Sequence, residues 1–114
     1  MQEQWKQWGA HLMGLAQGGL YYGPKNETFR ADMCRVCEIA QQLQDRAEEW
    51  DPGQQKKWGV EIHRISDVSL VRELINDQYD LNRCLGLREI AEEMEEEIPL
   101  RLWNEWKTRS ARNK

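Results

Sequence analysis

Laid over itself with a shift of 50 residues, the chain places Trp8-Gly9 on Trp58-Gly59, Leu20 on Leu70 and Asn26 on Asn76. Leu12 then falls on Ile62, Leu15 on Ile65 and Phe29 on Tyr79. One additional residue in the second copy brings Glu38-Ile39-Ala40 onto Glu89-Ile90-Ala91, for seven identities over about thirty positions. Each copy holds two amphipathic stretches joined by a polar turn. A lone hairpin of two such helices leaves an apolar face in water, and pairing two hairpins about a pseudo-twofold axis covers both faces. The repeat therefore constrains the fold more than any single motif does.

Apolar residues recur at helical spacing in each stretch. Trp5, Trp8, Leu12, Leu15, Ala16 and Leu20 define a first helix over residues 3–21. Gly14, Gly18 and Gly19 weaken it by about 1 kcal/mol each, although small residues also let a second helix approach closely. Tyr22-Gly23-Pro24-Lys25-Asn26 breaks the pattern. Phe29, Met33, Val36, Ala40, Leu43 and Ala47 form the stripe of a second helix over 27–49. Asp51-Pro52-Gly53-Gln54 has the chemistry of a helix start, with Asp as cap, Pro at the first helical position and Gln at the reciprocal capping position. A third helix carries Trp58, Ile62 and Ile65, meets a kink or a fresh start at Ser66-Asp67-Val68-Ser69, and continues with Leu70, Val71, Leu74 and Ile75. A fourth carries Leu81, Cys84, Leu87, Ala91, Met94 and Ile98 until Pro99 ends or kinks it. Leu100, Leu102, Trp103 and Trp106 predict a short terminal helix. No stretch alternates with period two for long enough to make a strand.

The expected architecture is all-α: one domain over 1–114, an antiparallel four-helix bundle built from two repeated helical hairpins, with a short C-terminal helix. Repeat one covers about 5–50, repeat two about 52–98, and the terminal helix and tail 99–114. At 114 residues the chain is long enough for a single core. Its net charge of −4 is unevenly placed, because Arg101, Lys107, Arg109, Arg112 and Lys114 face only Glu105 within 99–114. That tail is the one basic footprint, so nucleic acid is disfavoured as a partner. Three cysteines without a signal peptide point to a reduced, cytoplasmic protein lacking a disulfide framework. No apolar run is long enough to span a bilayer, which removes a membrane partner from the expectation.

Within this frame a family resemblance enters. Leu15-Ala16-Gln17-Gly18-Gly19-Leu20-Tyr21-Tyr22, followed by a Pro-containing polar loop, resembles the helical N-terminal accessory region of some bacterial Nudix hydrolases. That pattern runs roughly L-x-x-[I/L]-A-Q-x-G-L-x-Y, then Y-D-x-x-R-Y-x-x-L-R-x-I-A. The first half keeps Ala16, Gln17, Gly19, Leu20, Tyr22 and Glu38-Ile39-Ala40; the second keeps Tyr79-Asp80, Arg83, Leu87-Arg88 and Ile90-Ala91. The resemblance covers about 8–43 and, more weakly, 58–94. It implies an accessory and dimerisation element in tandem duplicate, without the catalytic domain that follows it in that family.

Two chemical readings of Tyr79 to Met94 are weighed against its echo of Phe29 to Ala40, which reads as packing. Arg88-Glu89-Ile90-Ala91-Glu92-Glu93 fits half of a Nudix box, in which the Glu pair would bind magnesium. Leu74, Asp80 and Glu95 stand where the rest of that box needs Gly, Glu and Gly, and its fold needs a mixed sheet. Glu92, Glu93 and Glu96 form E-E-x-x-E, which places carboxylates within one turn as a Mg²⁺ site needs. This resembles the all-α nucleotide pyrophosphohydrolases (the MazG and dimeric dUTPase group), yet those also require a second E-x-x-D pair, which the chain does not supply. The plain alternative to a metal site is a solvated acidic face. Six Glu within 89–97 repel one another and oppose the helix dipole, which invites a basic partner, a metal, or Arg101, Lys107 or Arg109 folding back.

Cys34-x-x-Cys37 lies mid-helix without further ligands and reads as two buried small hydrophobes, not as a zinc or redox motif. His11 and His63 occupy non-equivalent repeat positions, and neither is assigned as a base. Trp5 with Trp8, and Trp103 with Trp106, form pairs one turn apart at opposite ends of the chain. They serve either as lids over the ends of the bundle or as an oligomer surface.

The leading expectation is a non-enzymatic protein–protein interaction module, an adaptor or inhibitor of the kind a phage encodes. Its contact residues would be Trp5, Trp8, Trp103, Trp106, Glu89, Glu92, Glu93 and Glu96, its partner another protein or a second copy of itself, and its cofactor none. The alternative is a Mg²⁺-dependent nucleotide pyrophosphohydrolase using Glu92, Glu93 and Glu96.

Overall fold

A computed structural model describes residues 2–71, 75 and 77–96. The helix expected beyond Pro99, and Trp103 and Trp106 with it, lie outside the described residues. Within them the chain is all-helical: α1 Gln2–Tyr22, α2 Glu27–Asp45, a 3₁₀ turn Ala47–Glu49, α3 Pro52–Val71 and α4 Gln78–Glu95. α1 packs on α2 and α3 on α4, giving two hairpins that close into an antiparallel bundle.

The helix starts follow from side chains that accept orphan backbone N–H groups. Asn26 Oδ1 accepts from Phe29 N at 3.0 Å, and Asp77 Oδ1 accepts from Asp80 N at 2.9 Å. Asp51 Oδ1 accepts from Gly53 N at 2.9 Å and Gln54 N at 3.2 Å, with Pro52 at the first helical position. α1 ends where Gly23 N donates to Gly19 O and Pro24 follows. α2 stops earlier than its apolar stripe predicts: after Asp45 the chain tightens into the 3₁₀ turn, which swings Ala47 and Trp50 into the core.

Two expectations are corrected. α3 runs unbroken through Ser66-Asp67-Val68-Ser69, because Ser66 Oγ donates back to His63 O at 2.8 Å and both serines face inward. Tyr79 is also not the counterpart of Phe29. The two caps, Asn26 and Asp77, are 51 positions apart, so the additional residue of the second copy precedes its cap. The mate of buried Phe29 is then Asp80, itself buried.

With that register the two hairpins pack alike at one point. A Cβ on Gly9 would lie 2.7 Å from Gln44 Cγ, 2.8 Å from Ala40 O and 3.3 Å from Leu43 Cβ. A Cβ on Gly59 would meet Met94 Cβ at 2.9 Å, Ala91 O at 3.1 Å and Glu95 Cγ at 3.1 Å. Ala40, Leu43 and Gln44 are the counterparts of Ala91, Met94 and Glu95. In each hairpin the glycine after the tryptophan lets the two helices cross at backbone distance.

The seams between hairpins are less alike. α1 and α4 run antiparallel, with Trp8 level with Glu93, Leu15 with Gly86 and Gly18 with Arg83. In the matching seam of α3 with α2, Arg35 replaces Gly86. Its guanidinium holds Glu61 in a two-pronged ion pair at 2.7 and 3.1 Å, and α2 stands further from α3 than α4 does from α1. That contact holds the Glu61 carboxyl below the usual carboxylate range and raises Arg35.

Candidate functional site

Trp5 and Trp8 are core residues, 1% and 6% exposed. Trp5 stacks at a tilt on Trp58, ring centroids 5.4 Å apart, and such pairs add about 0.5–1.5 kcal/mol beyond burial. The indoles are also satisfied internally. Trp5 Nε1 donates to Gln55 Oε1 at 2.9 Å, Trp50 Nε1 donates to the same oxygen at 2.8 Å, and Gln55 Nε2 donates to Met94 O at 3.3 Å. One buried amide thus ties α1, the α2–α3 junction, α3 and the end of α4. Trp8 Nε1 donates to Glu93 Oε2 at 2.8 Å. The contact surface expected at Trp5 and Trp8 is therefore not on the exterior of this chain.

The acidic run is dispersed among several contacts. Glu93 is held by Trp8 of α1, and Glu92 lies 3.5 Å from Arg88, which in turn reaches Asp67 at 3.5 Å. Glu95 accepts from His63 Nδ1 at 2.9 Å, with Asp67 3.8 Å from the other ring nitrogen. The hydrogen bond to Glu95, helped by both carboxylates, raises the His63 pKa above its ordinary value. The spacing repulsion read from the sequence is thus offset within the fold at Glu92, Glu93 and Glu95. Glu89, Glu92, Glu93 and Glu96 are nonetheless all exposed, and Glu96 already departs from helical backbone as the cap of α4. Among the described residues, no group of three or more His, Cys, Asp and Glu is placed to hold a metal ion.

A second polar set lies where the first copy is apolar. Ser66, Ser69, Asp80 and Cys84 are buried in the turn end of the second hairpin. Their counterparts in the first are Ala16, Gly19, Phe29 and Met33, which pack as hydrocarbon and thioether. Asp80 pairs with Arg83 at 2.9 Å, and Cys84 Sγ points to Ser66 O at 3.7 Å. Burial pushes the Cys84 thiol up, which keeps it protonated and a poor nucleophile. Ser66 Oγ is bonded to the backbone of His63, not to its ring. The set gives the second hairpin a polar interior where the first is apolar.

Cys34 is exposed and Cys37 half-buried, so the expectation of two buried thiols is corrected: α2 turns this edge outward. Burial raises the Cys37 thiol. Among the described residues the large exposed aromatics are tyrosines. Tyr21, Tyr22 and Tyr79 are 81%, 76% and 75% exposed, and the rings of Tyr21 and Tyr22 meet edge to face at 4.7 Å. Continuing the α1–α4 register beyond Gly18 and Arg83 brings Tyr22 level with Tyr79. Both helices therefore carry exposed tyrosine at that end.

Gln55 and the tyrosines escape a motif search. Gln55 was signalled by the repeat, since it stands 50 positions after Trp5 and breaks the apolar match. Among the described residues no helix is long and apolar enough to cross a membrane. The chain matches no family model, no curated protein and no solved structure.

Proposed function

We propose that the chain is a non-enzymatic protein–protein association module, working in the reduced cytoplasm as an adaptor or an inhibitor. The observation that carries this reading is the aromatic end of the α1–α4 seam. Tyr21 and Tyr22 at the end of α1, and Tyr79 at the start of α4, are each 75% or more exposed, and aromatic rings carrying hydroxyls are a composition that contact surfaces favour. The free thiols of Cys34, Cys37 and Cys84 suit a reducing compartment. The indole N–H groups of Trp5, Trp8 and Trp50 are bonded within the chain, and Glu93 and Glu95 are held by Trp8 and His63, which turns the reading from these tryptophans to the tyrosines.

Two measurements test the reading. A photo-reactive residue at Tyr79 in the full chain, activated in cells, should yield a discrete adduct with a polypeptide; absence of any adduct overturns the module. In parallel, calorimetric titration with Mg²⁺ and Mn²⁺ should give no binding heat, and a nucleotide panel should release no pyrophosphate. Turnover that disappears in Glu92→Gln would establish the pyrophosphohydrolase instead.

A further inference from the structure

Cys34 and Cys37 are one turn apart in the middle of α2, and packing accounts for only one of them. Cys37 is half-buried and rests against the core cluster, as a small hydrophobe does. Cys34 is exposed, where a thiol gains nothing from burial, although free cysteine is among the most buried residue types. The repeat does not require sulfur at either place. Counted 51 positions on, as the two caps direct, the second hairpin has Leu85 and Arg88 there. The two thiols are also close enough to feel each other: burial, and then the neighbouring Cys34, raise the Cys37 thiol.

From this placement we propose that Cys34 and Cys37 form a dithiol site for a soft, thiophilic centre that is satisfied by two thiolates. Geometry separates this use of the pair from the others. Residues three apart in a helix have Cβ atoms about 5–6 Å apart. A disulfide needs about 3.5–4.5 Å, so direct closure would have to distort α2, which is helical on both sides of the pair. A bridging atom bonded at about 2.3 Å to each sulfur holds the sulfurs roughly 3.8 Å apart, which fits between Cβ atoms at the helical spacing.

A structural zinc site asks for four protein ligands, and among the described residues no group of three or more His, Cys, Asp and Glu is placed to hold a metal ion. Thiol–disulfide exchange is equally unsuited. The reactive thiolate of a redox pair is favoured at a helix N-terminus, whereas this pair is mid-helix and its Cys37 thiol is raised. The ligand class is therefore a centre that needs two sulfurs from the protein and completes its coordination with its own substituent or with water.

Phenylarsine oxide is the probe, because its trivalent arsenic carries one phenyl group and takes two thiols. Two S–H bonds break and two As–S bonds form; the protons leave with the oxide oxygen as one water, and arsenic keeps its oxidation state. Mixed with the full chain in the absence of oxygen, it should give an intact mass of one chain plus one arsenical less one water. That adduct should survive excess mercaptoethanol and be released by dithiothreitol. Cys34→Ser and Cys37→Ser should each lower its resistance to mercaptoethanol by about tenfold or more, since the second bond is no longer intramolecular. Cys84→Ser should leave the resistance unchanged, and circular dichroism should show the same helix content for the Cys34 and Cys37 variants as for the unaltered chain. An adduct that mercaptoethanol strips from the unaltered chain overturns the proposal. So does resistance that persists in both Cys34→Ser and Cys37→Ser. The site is independent of the tyrosines, and neither result bears on the association reading.

Discussion

Replacing Gly9 by alanine should reverse the sign that helix propensity assigns to it. Inside an exposed helix, Gly→Ala stabilises by about 1 kcal/mol. Gly14 of α1 is such a site, because a Cβ there meets nothing within 4 Å. Gly9, five residues earlier, is buried on α1's core-facing side against a backbone oxygen of α2. Its Cβ would sit 2.8 Å from Ala40 O and 3.3 Å from Leu43 Cβ, and only Gln44 Cγ, at 2.7 Å, belongs to a side chain able to swing aside. Relief therefore requires α1 and α2 to separate, and overpacking of this kind costs about 1–3 kcal/mol. Subtracting the propensity gain leaves Gly9→Ala neutral to about 2 kcal/mol destabilised, while Gly14→Ala gains about 1. The two variants should differ by about 1–3 kcal/mol although the substitution is chemically identical. At roughly 4 °C per kcal/mol for a domain of this size, that is a gap of about 4–12 °C in melting temperature. Urea unfolding followed at 222 nm measures it directly. A Gly9→Ala protein as stable as Gly14→Ala would refute the reading of Trp-Gly as the close-crossing point of each hairpin.

Other outcomes follow from the same packing. Gln55→Leu keeps the volume of the side chain but strands the indole N–H groups of Trp5 and Trp50, and each buried unpaired donor costs about 1–3 kcal/mol. A loss of about 3 kcal/mol or more is expected in chemical denaturation, accompanied by altered tryptophan fluorescence in the folded state; a loss under about 1 kcal/mol would show that water replaces the amide. His63 is more basic in the folded chain than unfolded because Glu95, Asp67 and Arg88 surround it, the first two raising its pKa and the last lowering it. Its contribution is therefore complete below the unfolded pKa and fades as pH rises through the folded value. The melting temperature should fall from mildly acidic to mildly alkaline pH, and His63→Gln should flatten that slope; an unchanged slope would remove His63 as its source.

Legibility differed by scale. Helix number, faces and hairpin pairing follow from periods of three and four residues and from the repeat, because burial of an apolar stripe dominates helix placement. Glycine in α1 was legible as a doubt about the helix, whereas its actual use at Gly9 depends on an atom of α2, which no local pattern contains. The Ser66 to Ser69 segment looked like a break because serine and aspartate compete for backbone hydrogen bonds. Ser66 satisfies itself on the preceding turn, and the helix continues. At the site level the tryptophans misled, since indoles are equally common in cores and interfaces, and only their acceptors decide which. Those acceptors, Gln55 and Glu93, are 50 and 85 positions away from Trp5 and Trp8. Tyr79 was read as a core counterpart of Phe29 because one added residue was placed after the cap instead of before it.

The bond from Trp5 to Gln55 joins two residues that occupy the same place in their respective repeats, so it lies on the axis relating the hairpins. Two identical hairpins meeting there would set tryptophan against tryptophan, donor facing donor, or glutamine against glutamine, with no indole bound. In this chain one hairpin supplies the N–H and the other the carbonyl, so the contact nearest the pseudo-twofold relation is also the one at which the two hairpins have to differ.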